Sequence, residues 1–166
     1  MSHSSTASNA VADLFRDCYA RLVGTVALAA DSRADAEDCV QEAFLKAFDR
    51  WDHVSQLESP EVWVRTVALR LLSNRRRNAR NGLKVLLRHG PPTVEPAPEP
   101  DHVDIARALQ RMPVGQRQVV VMHYLLGLGT DEIAQELRIA AGTVKSRLSR
   151  ARTVLGPLLR EESFHV

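Results

Sequence analysis

Residues 127–152 read GLGTDEIAQELRIAAGTVKSRLSRAR, and this stretch predicts two short helices joined by a tight turn. Thr130 suits an N-cap, and Asp131 and Glu132 place negative charge in the first turn, where the helix dipole favours it. Ile133, Ala134 and Leu137 form one apolar face at helical spacing, and Arg138, Ile139 and Ala140 form the turn. The second helix carries Val144, Leu148, Ala151 and Leu155 on its buried side. Its other faces show Thr143, Lys145, Ser146, Arg147, Ser149, Arg150 and Arg152. Short hydrogen-bonding side chains among cations, on a helix that follows a turn, suit a reader of the major groove. The cations hold phosphates and guanine edges, and the small residues let the backbone approach the bases. A solvated basic face would need none of the preceding helix and turn, and no acid occurs from 138 to 160.

The rest of the chain is helical by pattern. Its 166 residues suffice for one domain or two small ones, and a hydrophobic share of 45% supports packed cores. The net charge of +2 is nearly neutral, but its distribution is uneven. Residues 31–61 hold nine acids and three bases, and residues 70–88 hold seven bases and no acid. One acidic surface and two basic ones imply contact with both a basic protein partner and nucleic acid. Cys18 and Cys39 fall on apolar helix faces without a CxxC or Cys/His cluster, as buried free thiols do in a reducing compartment. No signal peptide or apolar run long enough to span a bilayer is present, so no membrane insertion is expected.

Residues 1–9 are small and polar without periodicity, which predicts a disordered tail. A helix over about 10–30 carries Phe15, Cys18, Tyr19, Leu22 and Val26 on one face. Asp31 or Ser32 caps a second helix, from 33 to about 51, whose core stripe is Val40, Ala43, Phe44, Ala47 and Trp51. Its opposite face shows Asp35, Asp38, Gln41, Glu42, Lys46 and Asp49, and Asp38, Gln41 and Glu42 have no evident partner inside the chain. Residues 52–58 predict a loop. Ser59, Pro60 and Glu61 then start a third helix, to about 79, with a capping hydroxyl, proline at the first helical position and an acid in the first turn. Trp63, Val64, Val67, Ala68, Leu71 and Leu72 bury one side of it; Arg65, Arg70, Asn74, Arg75, Arg76, Arg77 and Arg80 supply the other side and the end. Four arginines within six residues exceed what capping needs and point to phosphate binding.

Residues 82–101 form a break. Five prolines in HGPPTVEPAPEP rule out regular structure and predict an extended, acidic linker. Asp101 caps a helix through Met112, with Val103, Ala106 and Leu109 inward, and Pro113 opens another to about 126. Val119, Val120 and Val121 favour a strand by propensity. The preceding Gln116, Arg117 and Gln118, and the need for a partner to the two helices that follow, make the segment helical. The last helix runs toward Gly156, where Pro157 bends or ends it, and no third domain is expected beyond.

These residues carry a resemblance. The segment LQRMPVGQRQVVVMHYLLGLGTDEIAQELRIAAGTVKSRLSRAR is similar to region 4, the C-terminal DNA-binding domain of bacterial extracytoplasmic-function sigma factors of the sigma-70 family. The matching positions are Met112 and Pro113, Gln116 and Arg117, Glu132, Ile133 and Ala134, and the GTVKSRL run at 142–148. The first half resembles region 2 in DAEDCVQEAFLKAF at 35–48 and in the tryptophan-bearing helix that ends in arginines. The likeness covers about 10–160. It implies an all-α chain of two small helical domains, region 2 over 10–81 and a helix-turn-helix region 4 over 102–166, joined by the Pro-rich linker.

The resemblance also implies a task that fits the charges. Such a factor binds core RNA polymerase and directs it to promoters. Asp38, Gln41 and Glu42 would dock on the clamp coiled coil of the largest polymerase subunit. Arg65, Arg70, Asn74, Arg75, Arg76, Arg77 and Arg80 would bind and help open the −10 element, and the 52–58 loop would hold an extruded base. Thr143, Lys145, Ser146, Arg147, Ser149 and Arg150 would meet the −35 element, with Lys145 and Arg147 on phosphates. The linker would thread a basic channel that later holds RNA. The resemblance allows an anti-sigma factor as a further partner and places the protein in the bacterial cytoplasm, associated with the nucleoid. It implies no cofactor, no metal and no covalent chemistry in this chain. Three positions depart from the family pattern: Arg70 for a frequent asparagine, Arg138 for a glycine in the turn, and Ala140 for a serine or proline cap, the last costing about 1 kcal/mol.

Two other classes share parts of this pattern. A one-component or response-regulator transcription factor also carries EIA…TVK, but needs a sensor domain, and the N-terminal half has neither the alternating strands of a receiver nor a ligand-pocket pattern. A small nuclease needs clustered carboxylates or histidines to hold a metal. Here the acids of the second helix spread along an exposed face, and His3, His53, His89, His102, His123 and His165 are scattered singly.

Overall fold

The computed structural model describes the backbone of residues 2–82 and 103–162, and side chains over 5–79 and 105–157. The linker expected over 82–101, and the cap at Asp101, lie almost wholly outside the described residues. All regular structure among them is helical, and the chain divides into two compact units, Met1–Thr93 and Val94–Val166.

In the first unit, α1 (Ser2–Ala27) and α2 (Arg33–Asp49) pack closely, and α2 also packs on α4 (Pro60–Gly82). Small residues make this approach possible: Ala36, Cys39, Ala43 and Ala47 of α2 are all fully buried. Val23 and Val26 of α1 and Val64 and Ala68 of α4 meet them at the same depth. Ser32 caps α2 by accepting from the Asp35 amide at 3.1 Å, and Ser59 accepts from the Val62 amide at 3.3 Å at the start of α4. Arg21 of α1 grips Glu61 with two hydrogen bonds, of 2.9 and 2.8 Å, which fixes the first turn of α4 against α1.

Four local expectations give way. Residues expected to form a disordered tail belong to α1, because extending a helix already nucleated by its packed portion costs little even without apolar side chains. Part of the 52–58 loop is helical: α3 (Trp51–Val54) makes one turn, held by Val54, which is fully buried. α4 runs on to Gly82, and its buried stripe is Val64, Ala68, Leu69 and Leu72, leaving Trp63, Val67 and Leu71 half-buried. Leu69 widens the stripe on the flank opposite Leu71, which lies two residues and about 160° away round the helix.

In the second unit, α5 (Val103–Arg111), α6 (Val114–Tyr124), α7 (Thr130–Leu137) and α8 (Ala141–Glu162) surround one core. The valine run at 119–121 is helical, and α6 is buried along most of its length, Gln116, Arg117 and Gln118 included. Burial of a helix on several sides explains why valine's strand propensity loses here: tertiary packing outweighs a preference of at most about 1 kcal/mol. The core joins Val119 and Met122 to Ile133, Val144 and Leu148, with Leu126, Leu128, Leu137 and Ile139 against it. Two expectations change. α7 is capped at Gly129 and not at Thr130, the Glu132 carboxylate accepting from the Gly129 amide at 2.7 Å. α8 passes through Pro157 to Glu162; the proline removes one ladder bond without ending the helix.

Candidate nucleic-acid and polymerase interfaces

The helix-turn-helix is built on the turn between α7 and α8. Arg138 ends α7 in the left-handed region, φ 53° and ψ 48°, and its amide and that of Ile139 return to the carbonyls of Gln135 and Ala134 at 3.3 and 3.1 Å. Gly127, at φ 67°, turns the preceding loop, and His123 Nδ1 lies 2.8 Å from the Leu128 carbonyl oxygen. α8 is thereby anchored by Val144, Leu148, Ala151 and Leu155, all buried as their spacing predicts.

Burial on that side sends a defined set outward. Lys145, Ser146, Ser149 and Arg150 are exposed, and at 3.6 residues per turn they fall within about 140° of arc. Thr143 is half-buried at the start of the helix, its carbonyl accepting from Ser146 Oγ at 3.0 Å. Arg147 does not join the outward set. Its guanidinium turns back toward α6, with Nη1 3.4 Å from the Gly115 carbonyl oxygen, and a Cβ at Gly115 would sit 2.9 Å from the same nitrogen. Arg147 was expected to hold phosphate; here its half-buried side chain lies at the edge of the exposed arc, with its guanidinium toward Gly115. Arg152 likewise reaches the Tyr124 hydroxyl, at 3.2 Å.

In the first unit, the arginine-rich part of α4 separates into faces. Arg70 and Asn74 are exposed, and Arg77, half-buried, donates to Asn74 Oδ1. These three recur at spacings of four and three on one side, with Trp63 and Val67 preceding them. Arg65 and Arg76 are half-buried and lie about 100–180° round the helix from these three. The Arg80 side chain lies outside the described residues. Arg75 points to α2, where its Nη2 donates to Glu42 Oε2 at 2.7 Å and its Nη1 lies 3.9 Å from Asp38 Oδ2. The Glu42 carboxylate holds the Arg75 guanidinium pKa above its ordinary value.

The acidic face of α2 is therefore not without partners, contrary to expectation. Glu42 meets Arg75 and, at 3.8 Å, Lys46, and Gln41 Nε2 donates to the Tyr19 hydroxyl at 3.1 Å. Arg75 and Tyr19 lie 33 and 22 residues away from their partners in the chain, too far for any local pattern to reveal. Beside Gln41 opens an apolar groove of about 550 Å³ between α1 and α2, lined by Val11, Phe15, Phe44, Leu45 and Phe48. Sequence reasoning missed it, although Leu45 falls on the polar side of the α2 stripe and stays 66% exposed.

Other chemistry is quiet. Burial pushes the Cys18 and Cys39 thiols up to about 11, so both stay protonated and unreactive. Among the described residues no three His, Cys, Asp or Glu side chains gather as metal ligands, and no helix is long and apolar enough to cross a membrane.

Comparison with known proteins places both units. Residues 8–82 match sigma-70 region 2, and residues 102–155 match sigma-70 region 4. The ECF RNA polymerase sigma factor SigL of Mycobacterium tuberculosis is 36% identical over 135 residues, covering 77% of this chain and 76% of SigL. SigW of Bacillus subtilis, another ECF RNA polymerase sigma factor, is 27% identical over 172 residues, covering 91% and 88%. Among solved structures, the sigma factor RpoE of Bartonella quintana, in complex with the anti-sigma factor NepR, aligns with a TM-score of 0.55 at 25% identity, over 89% of this chain and 97% of RpoE. Two helical units with an outward basic helix in the second, each matched in order by a sigma-70 region, assign this protein to the extracytoplasmic-function sigma factors of the sigma-70 family.

Proposed function

We propose that this sigma factor divides its work between its units by residue as follows. Asp38, Gln41 and Glu42 on α2 receive core RNA polymerase. Arg70, Asn74 and Arg77, on the open side of α4, meet the −10 element; Arg65, Arg76 and Arg80 belong to that set by resemblance alone. Lys145, Ser146, Ser149 and Arg150 on α8 enter the major groove at the −35 element, with Thr143 at the helix start. The observation that carries this reading is the division of α8: four apolar residues buried on one side, and two cations and two hydroxyls exposed on the other. Arg150 has the reach for a bidentate guanine contact, and Lys145 suits a phosphate. The polymerase supplies the covalent chemistry, and this chain supplies recognition in the cytoplasm, at the nucleoid. RpoE of Bartonella quintana is solved with an anti-sigma factor, and a protein of that kind is a further partner for this chain.

The first half of the chain, where a sensing regulator could carry its sensor, matches sigma-70 region 2. The deciding experiment mixes the purified chain with core polymerase and follows transcription from promoter DNA in vitro. Promoter-specific transcripts that depend on this chain are expected. DNA binding without any transcript, and without association with core, would replace this reading with that of a free-standing regulator.

A further inference from the structure

The arginine-rich end of α4 does not act as one patch. Arg70, Asn74 and Arg77 share a side, whereas Arg75 lies about 140° round the helix from Arg70 and meets α2. There it donates to Glu42 Oε2 at 2.7 Å and stands 3.9 Å from Asp38 Oδ2, an ion pair without a hydrogen bond. Asp38 and Glu42 stand four residues apart on one helix, a like-charge spacing that repels unless a cation sits beside it. A guanidinium offers its N–H groups as a rigid fork, so one arginine can engage two carboxylates in a fixed relation. Each carboxylate has about four acceptor sites. Glu42 therefore keeps acceptor capacity beyond Arg75, and Asp38, its side chain 64% exposed, stays open to a partner's cations.

We propose that Arg75 is a positioning residue for polymerase docking: it holds Asp38 and Glu42 side by side as one acceptor for the polymerase's cations, and it does not touch the −10 element. This rests on the docking role given above to Asp38, Gln41 and Glu42. It moves Arg75 out of the DNA-binding set and gives α4 two separate tasks, DNA on its open side and support of the docking acids on the side facing α2.

The test uses the full chain with two readouts. One is affinity for purified core polymerase. The other is the affinity of holoenzyme, assembled at saturating sigma factor, for a fluorescent single-stranded DNA whose −10 sequence was selected from a random pool by the wild-type holoenzyme. Arg75→Ala weakens core binding about three- to tenfold, as freeing two docking side chains should, and leaves the DNA affinity unchanged. Arg75→Lys, which keeps the charge and guards against a folding defect seen by circular dichroism, recovers part of the loss. Combined with Asp38→Asn and Glu42→Gln, Arg75→Ala adds nothing further. Arg70→Ala gives the reverse pattern, normal core binding with weaker DNA binding. Unchanged core binding by Arg75→Ala with weakened DNA binding would make Arg75 a DNA contact and overturn the proposal. Tighter core binding would make it a competitor of the polymerase and overturn it equally. If Asp38→Asn with Glu42→Gln binds core like wild type, the docking reading itself fails and this proposal with it. If that pair loses core binding and Arg75→Ala does not, the proposal alone fails.

Discussion

Arg138 sits in the left-handed region without being glycine, the one such residue among those described. A β-carbon there costs roughly 1–2 kcal/mol, and a glycine's extra freedom in the unfolded chain returns part of that. Arg138→Gly is thus expected to stabilise the second unit by about 0.5–1 kcal/mol, measured by chemical denaturation of the full chain. The same turn ends at Ala140, which offers no side-chain acceptor to the first amides of α8; Ala140→Ser should add about 0.5–1 kcal/mol in the same assay. On the exposed side of α8 the expected effect is on recognition. Arg150→Ala should relax preference at one −35 base pair, a loss of roughly 1–3 kcal/mol of discrimination, scored over single-base −35 variants. An unchanged preference profile would remove Arg150 from base readout. Arg147→Ala is expected to act through the stability of the second unit, since its guanidinium lies against Gly115, and the same denaturation assay reads it; weaker binding to all −35 variants at unchanged stability would return Arg147 to phosphate binding.

Among the elements, α2 shows how side-chain volume sets the architecture. Ala36, Ala43 and Ala47 have no exposed surface, and they let α1 and α4 approach α2 on both sides. Ala43→Leu would force extra methylenes into this contact and should destabilise the first unit by about 1–3 kcal/mol, visible as a lowered denaturation midpoint. The junction of α1 and α4 depends on pH. The Arg21 hydrogen bonds, set against a smaller opposing effect of burial, hold the Glu61 carboxyl below its ordinary pKa. A depressed carboxylate stabilises the fold above its unfolded pKa, and that contribution is lost as pH falls through its folded value. Glu61→Gln should therefore flatten the acid limb of the stability curve of the first unit. An acid limb identical to wild type would show that the pair contributes nothing. Surface exposure of Arg21 keeps the effect small.

For the molecule as a whole, charge is partitioned by unit and by face. The −10 and −35 contacts proposed here are carried by separate units, and each phosphate-bound cation adds to the salt dependence of promoter binding. Arg70→Ala and Arg77→Ala should each lower the slope of log affinity against log salt by about 0.7–0.9 in the holoenzyme. Slopes equal to wild type would place these arginines away from phosphate.

Periodicity along the sequence was enough to settle the helical class, the buried stripe of α8 and the outward placing of Lys145, Ser146, Ser149 and Arg150, and the capping residues settled the start of α4 after Ser59. Each of these depends on neighbours within a few residues, so a linear pattern contains the information. The Ser2 start of α1 was not legible, because cooperative extension needs no local signal. Nor was the Gly129 cap, where the acceptor is the Glu132 side chain three residues on and the capping residue itself contributes only an amide. The fates of the arginines were decided only by tertiary structure. In sequence Arg70, Arg75, Arg77 and Arg147 are equivalent cations on basic helices. In the fold, Arg70 faces outward, Arg75 meets Glu42, Arg77 bonds Asn74 and Arg147 packs on Gly115. A long cation takes the partner that the packed helices bring within its reach, and for Arg75 and Arg147 those partners lie more than thirty residues away in the chain.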